Sequence, residues 1–159
     1  MANLLIAYYT RSGNTRKMAE EVAAGAGEVG GVRVDLRSVD QVSPDDLLNC
    51  DGILMGSPVY YGTIAAELKS LIDESVKHHG RLTGKVGGGF ATAGGPGGGS
   101  EATVLDIVKT MLVHGMIVQG DAEGDHFGPT AVGAPDARSQ KECRRFGRRM
   151  AELTAKLAG

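Results

Sequence analysis

Between Tyr9 and Arg16 the chain carries Thr10, Ser12, Asn14 and Thr15, four short polar side chains gathered around one glycine, Gly13. An apolar run, Leu4-Leu5-Ile6-Ala7, delivers this segment, and a helical pattern follows at once. Such a junction is suited to holding an anion. The first amides of a helix have no partner inside it, the helix dipole adds partial positive charge, and glycine lets the backbone curl closely around a phosphate. Thr10, Arg11, Ser12, Gly13, Asn14 and Thr15 therefore form a candidate phosphate loop that needs little help from lysine or arginine.

Two more loops have chemistry-bearing composition. Ser57-Pro58-Val59-Tyr60-Tyr61-Gly62 leaves a continuous apolar run. Pro58 stiffens the turn, Gly62 admits backbone conformations other residues resist, and Tyr60 and Tyr61 can lay an aromatic edge against a flat heterocycle. Packing of either tyrosine beneath the following helix is the other reading. The stretch from Ala91 to Glu101, with Thr92, Ala93, Gly94 and Gly95 at its start, has almost no side chains. A planar ring can come against bare backbone there; a merely flexible loop is the alternative.

These loops need a frame, and the apolar pattern supplies one. Strands are predicted over 3–8, 32–36, 52–57, 85–93 and 116–119. The run at 52–57 does not alternate, as expected of a fully buried parallel strand, whereas Val32, Val34 and Leu36 alternate with charged residues as on an outer strand. Helices are predicted over 14–29, where Met18, Val22, Ala26 and Val29 share a face, and over 100–114, ended by Gly115. A short helix opens at Ser43-Pro44, and another after Thr63 buries Leu68, Leu71, Ile72 and Val76. A last one opens at a capping box, Ser139 to Glu142. Strands alternating with helices predict a single α/β domain over residues 1–159, an open parallel sheet covered on both faces. Ligands of such sheets sit beyond the carboxyl ends of the strands, where the three loops fall.

Composition narrows the classes. The net charge of −2 lacks the basic excess of a nucleic-acid binder, so no nucleic-acid partner is expected. The N-terminal apolar run is too short for a membrane span and lacks a cationic lead, so a cytoplasmic protein is expected. Cys50 and Cys143 lack CxxC spacing and read as buried thiols. The four histidines lack metal-ligand spacing, so no metal site is expected. Gly25-Ala26-Gly27-Glu28-Val29-Gly30 satisfies GxGxxG but follows a helix and precedes a strand, the wrong context for a dinucleotide fingerprint, and reads as a frayed helix end. Gly84-Lys85 looks like the tail of a P-loop, but Val86 follows and no ATP site is expected. Arg144, Arg145, Arg148 and Arg149 read first as a solvated helix face, with contact to a nicotinamide phosphate or a second subunit as the alternative.

Thr-x-Ser-Gly-Asn-Thr between a strand and a helix resembles the FMN-phosphate motif of flavodoxins. Tyr8-Tyr9, Gly56-Ser57-Pro58 with Tyr61-Gly62, Ala93 to Gly99 followed by Ser-Glu, His114-Gly115-Met116 and Phe127 to Gly133 resemble the WrbA-type NAD(P)H:quinone oxidoreductases. That resemblance implies a flavodoxin-like sheet of five strands in the order 2-1-3-4-5, with FMN bound and NAD(P)H as donor. It places the FMN phosphate on Thr10–Thr15 and the isoalloxazine and ribityl chain along Pro58, Val59, Tyr60, Tyr61 and Gly62. It sets Thr92, Ala93, Gly94 and Gly95 at the pyrimidine side. His114 would lie at the flavin's outer edge, where it could donate a proton to a reduced quinone, and a homo-oligomer (dimer or tetramer) is implied. The chain is shorter than typical WrbA proteins between its second and third strands, and its phosphate loop follows flavodoxins more closely.

Two functions then compete. One is FMN-dependent two-electron reduction of quinones by NAD(P)H; the other is a one-electron flavodoxin shuttle between redox proteins. Shuttles rely on a strongly acidic face to find partners, and this chain is nearly neutral. Flavodoxins also wrap the flavin between aromatics from two loops, and the third loop here has none. Both points favour the enzyme. A flavin-free binder of another phosphorylated ligand is the third class.

Overall fold

A computed structural model describes all 159 residues, Met1–Gly159. Its centre is β1 (Ala2–Tyr8), paired in parallel with β2 (Val32–Ser38) on one side and β3 (Gly52–Tyr60) on the other. β3 pairs with β5 (Val86–Ala93), and β5 with β6 (Ile117–Val118), giving the order β2-β1-β3-β5-β6. The principal strands thus run in the expected order 2-1-3-4-5. β1 is followed by α1 (Asn14–Gly27), β5 by α3 (Ser100–Val113), and the chain closes with α4 (Ala137–Ala158). Order reverses beside β1, so the turn into α1 opens at the switch point between β1 and β3.

The sheet divides two apolar cores, each supplied by alternate residues of the same strands. Leu4, Ile6, Leu54 and Phe90 pack against α1 and α4 through Met18, Val22, Cys143, Phe146 and Met150. Leu5, Ala7, Ile53 and Met55 pack on the opposite face against Leu68, Leu71, Ile107 and Met111. The glycines of β5 follow from this crowding. A Cβ on Gly87 would sit 2.7 Å from Met111 Sδ, one on Gly88 2.7 Å from the Phe146 ring, and one on Gly89 2.9 Å from Ile107. Bare backbone lets helices approach the fourth principal strand from both sides.

Several expectations are corrected. The fifth strand is interrupted: β6 pairs with the start of β5, while β7 (Thr130–Val132), expected as loop, pairs with its end at Ala91, Thr92 and Ala93. The excursion between them is fastened to α4 by Asp121, which accepts from Arg145 at 2.9 Å and Arg149 at 3.0 Å. Arg144 and Arg148 pair with Glu21 and Glu28 of and beside α1, so this arginine face is knitted into the fold rather than merely solvated. The segment after Ser43 forms a six-residue 3₁₀ helix, Pro44–Asn49, with the Asp46 carboxylate accepting from the Ser43 amide and hydroxyl at 2.8 Å. α4 begins two residues before the predicted box, capped by Asp136, whose carboxylate accepts from the Ser139 amide at 2.9 Å.

Gly25 is a packing position rather than a frayed end: a Cβ there would overlap the Arg144 carbonyl, as one on Gly147 would overlap that of Val22. α1 and α4 therefore meet backbone to backbone. Lys85 donates to the carbonyls of Leu48 and Cys50. The helix after Thr63, α2 (Ala66–Glu74), buries Leu68 and Leu71, but Val76 beyond it is exposed.

Candidate functional site

β1, β3 and β5 all end at one edge of the sheet, and their following loops lie side by side there. At the end of β1 the Thr10 hydroxyl accepts the Gly13 amide at 3.0 Å, closing the turn. Gly13 then adopts φ +94, a left-handed conformation that L side chains resist, and α1 begins. No side chain caps α1, and the amides of Asn14, Thr15 and Arg16 donate to no group of the chain. Thr15 is buried, Asn14 is half-buried and Ser12 is exposed. The Arg11 guanidinium lies 5.4 Å from the centre of the Tyr60 ring.

The second loop is a hairpin rather than an irregular turn. β3 continues through Tyr60, and β4 (Thr63–Ile64) pairs antiparallel with it, Val59 opposite Ile64 and Tyr60 opposite Thr63. The Ser57 hydroxyl, fully buried, accepts the Ala65 amide at 2.9 Å and donates to the Pro58 carbonyl at 2.7 Å, tying the hairpin to the start of α2. Tyr60 is half-buried, with the Tyr9 ring edge-on at 6.4 Å. The Glu67 carboxylate beside the Tyr9 hydroxyl raises that phenol's pKa.

The third loop leaves β5 after Ala93. Gly94 and Gly95 have open space where a Cβ would project, with no atom within 4 Å. A Cβ on Gly99 would lie 3.3 Å from Gly62 and 3.5 Å from Val59, so the far end of this loop rests on the hairpin. The Thr92 hydroxyl donates to the Gly133 carbonyl at 2.6 Å and its side chain is buried, so only the backbone of Thr92 is offered to the edge. The result is an open shelf with an amide cup at one end, an aromatic hairpin on one side and bare backbone on the other.

Comparison with known proteins agrees with this geometry. The profile of the family described as NADPH-dependent FMN reductase matches residues 43–124. A flavodoxin of Aquifex aeolicus is 38% identical, over 98% of this chain and 88% of its own length. An NAD(P)H dehydrogenase (quinone) of Archaeoglobus fulgidus is 30% identical, over 99% of this chain and 100% of its own. A WrbA-like flavodoxin of Agrobacterium tumefaciens has a TM-score of 0.84 at 26% identity, covering 98% of this chain and 99% of that one. The chain belongs to the flavodoxin-like FMN proteins of the WrbA type.

This flavodoxin-like protein binds FMN. Its residues fit the group: the amides at the start of α1 are free to receive a phosphate, a Cβ on Gly13 would meet nothing within 4 Å, and the shelf beyond is backbone. Helix amides and dipole offer countercharge there. No helix is long and apolar enough to cross a membrane.

The structure brings together Thr10 to Thr15, Pro58 to Gly62 and Thr92 to Gly95, and leaves out His114. That residue caps the far end of α3, a 14-residue helix running antiparallel to β5. At 1.5 Å per residue this puts His114 about 21 Å along the helix from the loops, at the opposite edge of the sheet. Its Nε2 lies 2.7 Å from the Ser75 hydroxyl, its ring centre 6.2 Å from that of His79, and its buried Nδ1 has no partner. Burial first, then the neighbouring His79 and His78, lowers its pKa. Within one chain His114 thus stands apart from the three loops. Sequence reasoning also missed Tyr9 as the brace of Tyr60, although its place immediately before the phosphate loop was a usable signal.

Proposed function

We propose that this protein catalyses two-electron reduction of quinones by NAD(P)H through its bound FMN. The stoichiometry is NAD(P)H plus quinone plus one proton giving NAD(P)⁺ plus hydroquinone. In this reading the Asn14, Thr15 and Arg16 amides, with the Thr10, Ser12 and Thr15 hydroxyls and the Arg11 backbone, would hold the phosphate, and Gly13 would shape the turn around it. Pro58, Val59, Tyr60, Tyr61 and Gly62 line one side of the ring system, and the backbone of Thr92, Ala93, Gly94 and Gly95 lines the other. Bound there, FMN would supply the two-electron redox chemistry that couples nicotinamide oxidation to quinone reduction. The chain's own task is placement and access. The tied hairpin and the closed Thr10–Gly13 turn fix the shelf, and the proton comes from water at the open edge.

The observation that carries this reading is the bare third loop. Gly94 and Gly95 present no side chain over the shelf, so a second flat molecule can reach the same place. The near-neutral charge supports it too, since a protein-docking shuttle would gain from an acidic face. The names of the Archaeoglobus relative and of the family profile point the same way. The name of the Aquifex relative supports the second reading, a one-electron flavodoxin shuttle. Assembly into a homo-oligomer belongs to the same proposal. Steady-state oxidation of NADH and of NADPH with benzoquinone as acceptor is the test. Turnover with either donor is expected, and none with both establishes the shuttle instead.

A further inference from the structure

The bare third loop stands on β7. From Gly94 to Gly99 it carries no side chain but that of Pro96, so its position follows from what its ends are fastened to. Before the loop, the Ala91 amide donates to the Pro129 carbonyl at 3.1 Å and the Gly133 amide to the Ala93 carbonyl at 2.8 Å. The Thr92 hydroxyl donates to the Gly133 carbonyl at 2.6 Å. After the loop, the Ser100 hydroxyl reaches the Ala131 carbonyl at 3.5 Å. Yet β7 has only three residues and pairs with β5 alone, so its own ladder holds it weakly. One carboxylate supplies the rest. Asp125 Oδ2 accepts from the Thr130 amide at 2.9 Å and from the Thr130 hydroxyl at 3.3 Å. Arg138, in the first turn of α4, donates to both Asp125 oxygens, at 2.8 and 3.3 Å. Such a two-pronged guanidinium fixes the plane of the carboxylate and strengthens each bond it makes.

Resting on the placement of the flavin ring proposed above, we infer that Asp125, oriented by Arg138, is a positioning residue for that ring. It holds β7 in register and so fixes the Thr92–Gly95 backbone along which the ring lies. Asp125 itself touches no cofactor; it acts through Thr130 and the β5–β7 ladder. A second carboxylate of the same excursion separates two roles. Asp121 fastens residues 119–129 to α4 through Arg145 and Arg149 but makes no bond to β7. Asp121 therefore serves the fold, and Asp125 serves the shelf.

The test titrates FMN and riboflavin by flavin fluorescence into wild type, Asp125→Ala, Asp125→Asn, Arg138→Ala and Asp121→Asn, each shown by denaturant titration to be folded in the assay buffer. Asp125→Ala weakens both flavins by the same factor, about threefold to tenfold, because the change acts on the ring and not on the phosphate. Asp125→Asn, which keeps an oxygen for the Thr130 amide, and Arg138→Ala fall between it and wild type, and they carry the comparison if Asp125→Ala does not fold. The visible absorption bands of bound FMN shift in Asp125→Ala. Asp121→Asn leaves the bands and both affinities unchanged, whatever it does to stability. Flavin binding unaltered by the Asp125 and Arg138 changes overturns the inference. So does a loss confined to FMN, or an equal loss in Asp121→Asn. Gly94→Val tests the placement of the ring separately: a side chain projected into the open space at Gly94 weakens both flavins about tenfold or more. Unaltered binding in Gly94→Val refutes that placement and the inference with it, whereas blocked binding there beside unaltered binding in Asp125→Ala refutes the inference alone.

Discussion

Replacing Gly13 by alanine tests the amide cup directly. Gly13 sits at φ +94, and a Cβ there would meet no atom within 4 Å, so the substitution brings no clash. Its whole effect is conformational: an L residue held left-handed costs about 1–2 kcal/mol. In the free protein the Thr10–Asn14 turn relaxes to escape that cost, breaking the 3.0 Å Thr10–Gly13 hydrogen bond. Phosphate binding then has to restore the strained turn so that the Asn14, Thr15 and Arg16 amides converge. FMN affinity accordingly falls by about fivefold to thirtyfold, at 1.4 kcal/mol per factor of ten. Riboflavin, which lacks the phosphate, keeps the affinity it has for wild type. Flavin-fluorescence titration of the apoprotein with both ligands reads the two numbers, and Gly13→Asn, which tolerates the left-handed region better, should fall between. Equal weakening of FMN and riboflavin, or no change in either, would refute the reasoning that this turn grips the phosphate.

Other consequences are testable on the folded chain. Gly147→Ala places a Cβ onto the Val22 carbonyl and forces α1 and α4 apart; a loss of about 1–3 kcal/mol in denaturant stability is expected. Since His114 has a pKa below the usual histidine value, the unfolded chain takes up a proton that the folded chain refuses. Stability therefore declines as pH falls below about 6.5 and gains nothing from this group above it, and His114→Gln should flatten that part of a pH–stability profile. Burial raises the thiol pKa of Cys50 to about 11 and of Cys143 to about 12. At pH 8 both should resist thiol-specific labelling until denaturant opens the fold, and prompt labelling of either would contradict the packing.

Much of the site was legible because its signals are local. A strand ending in Thr10, a glycine at position 13 and the immediate onset of helical periodicity state their conformation within a few residues. The bare loop after Ala93 and the helix it opens at Ser100 are readable in the same way. The hairpin was harder. Pro58 to Gly62 was recognisable as a turn, but the pairing of Tyr60 with Thr63 depends on cross-strand register, and that register is what forces Tyr61 into positive φ.

From the residues alone come the alternation of strands and helices, the buried character of β3 and the polar cup before α1, since each follows from periodicity, capping or backbone freedom over short spans. Tertiary structure alone decided that 130–132 completes the fifth sheet position, that Gly87, Gly88 and Gly89 make room for helices on both faces, and that the arginines of α4 bind Asp121, Glu21 and Glu28. It also set His114 at the far edge, because the helix it ends runs back along β5 away from the loops. Contacts across many residues are set by packing and chain direction, and neither is written in any single stretch of sequence.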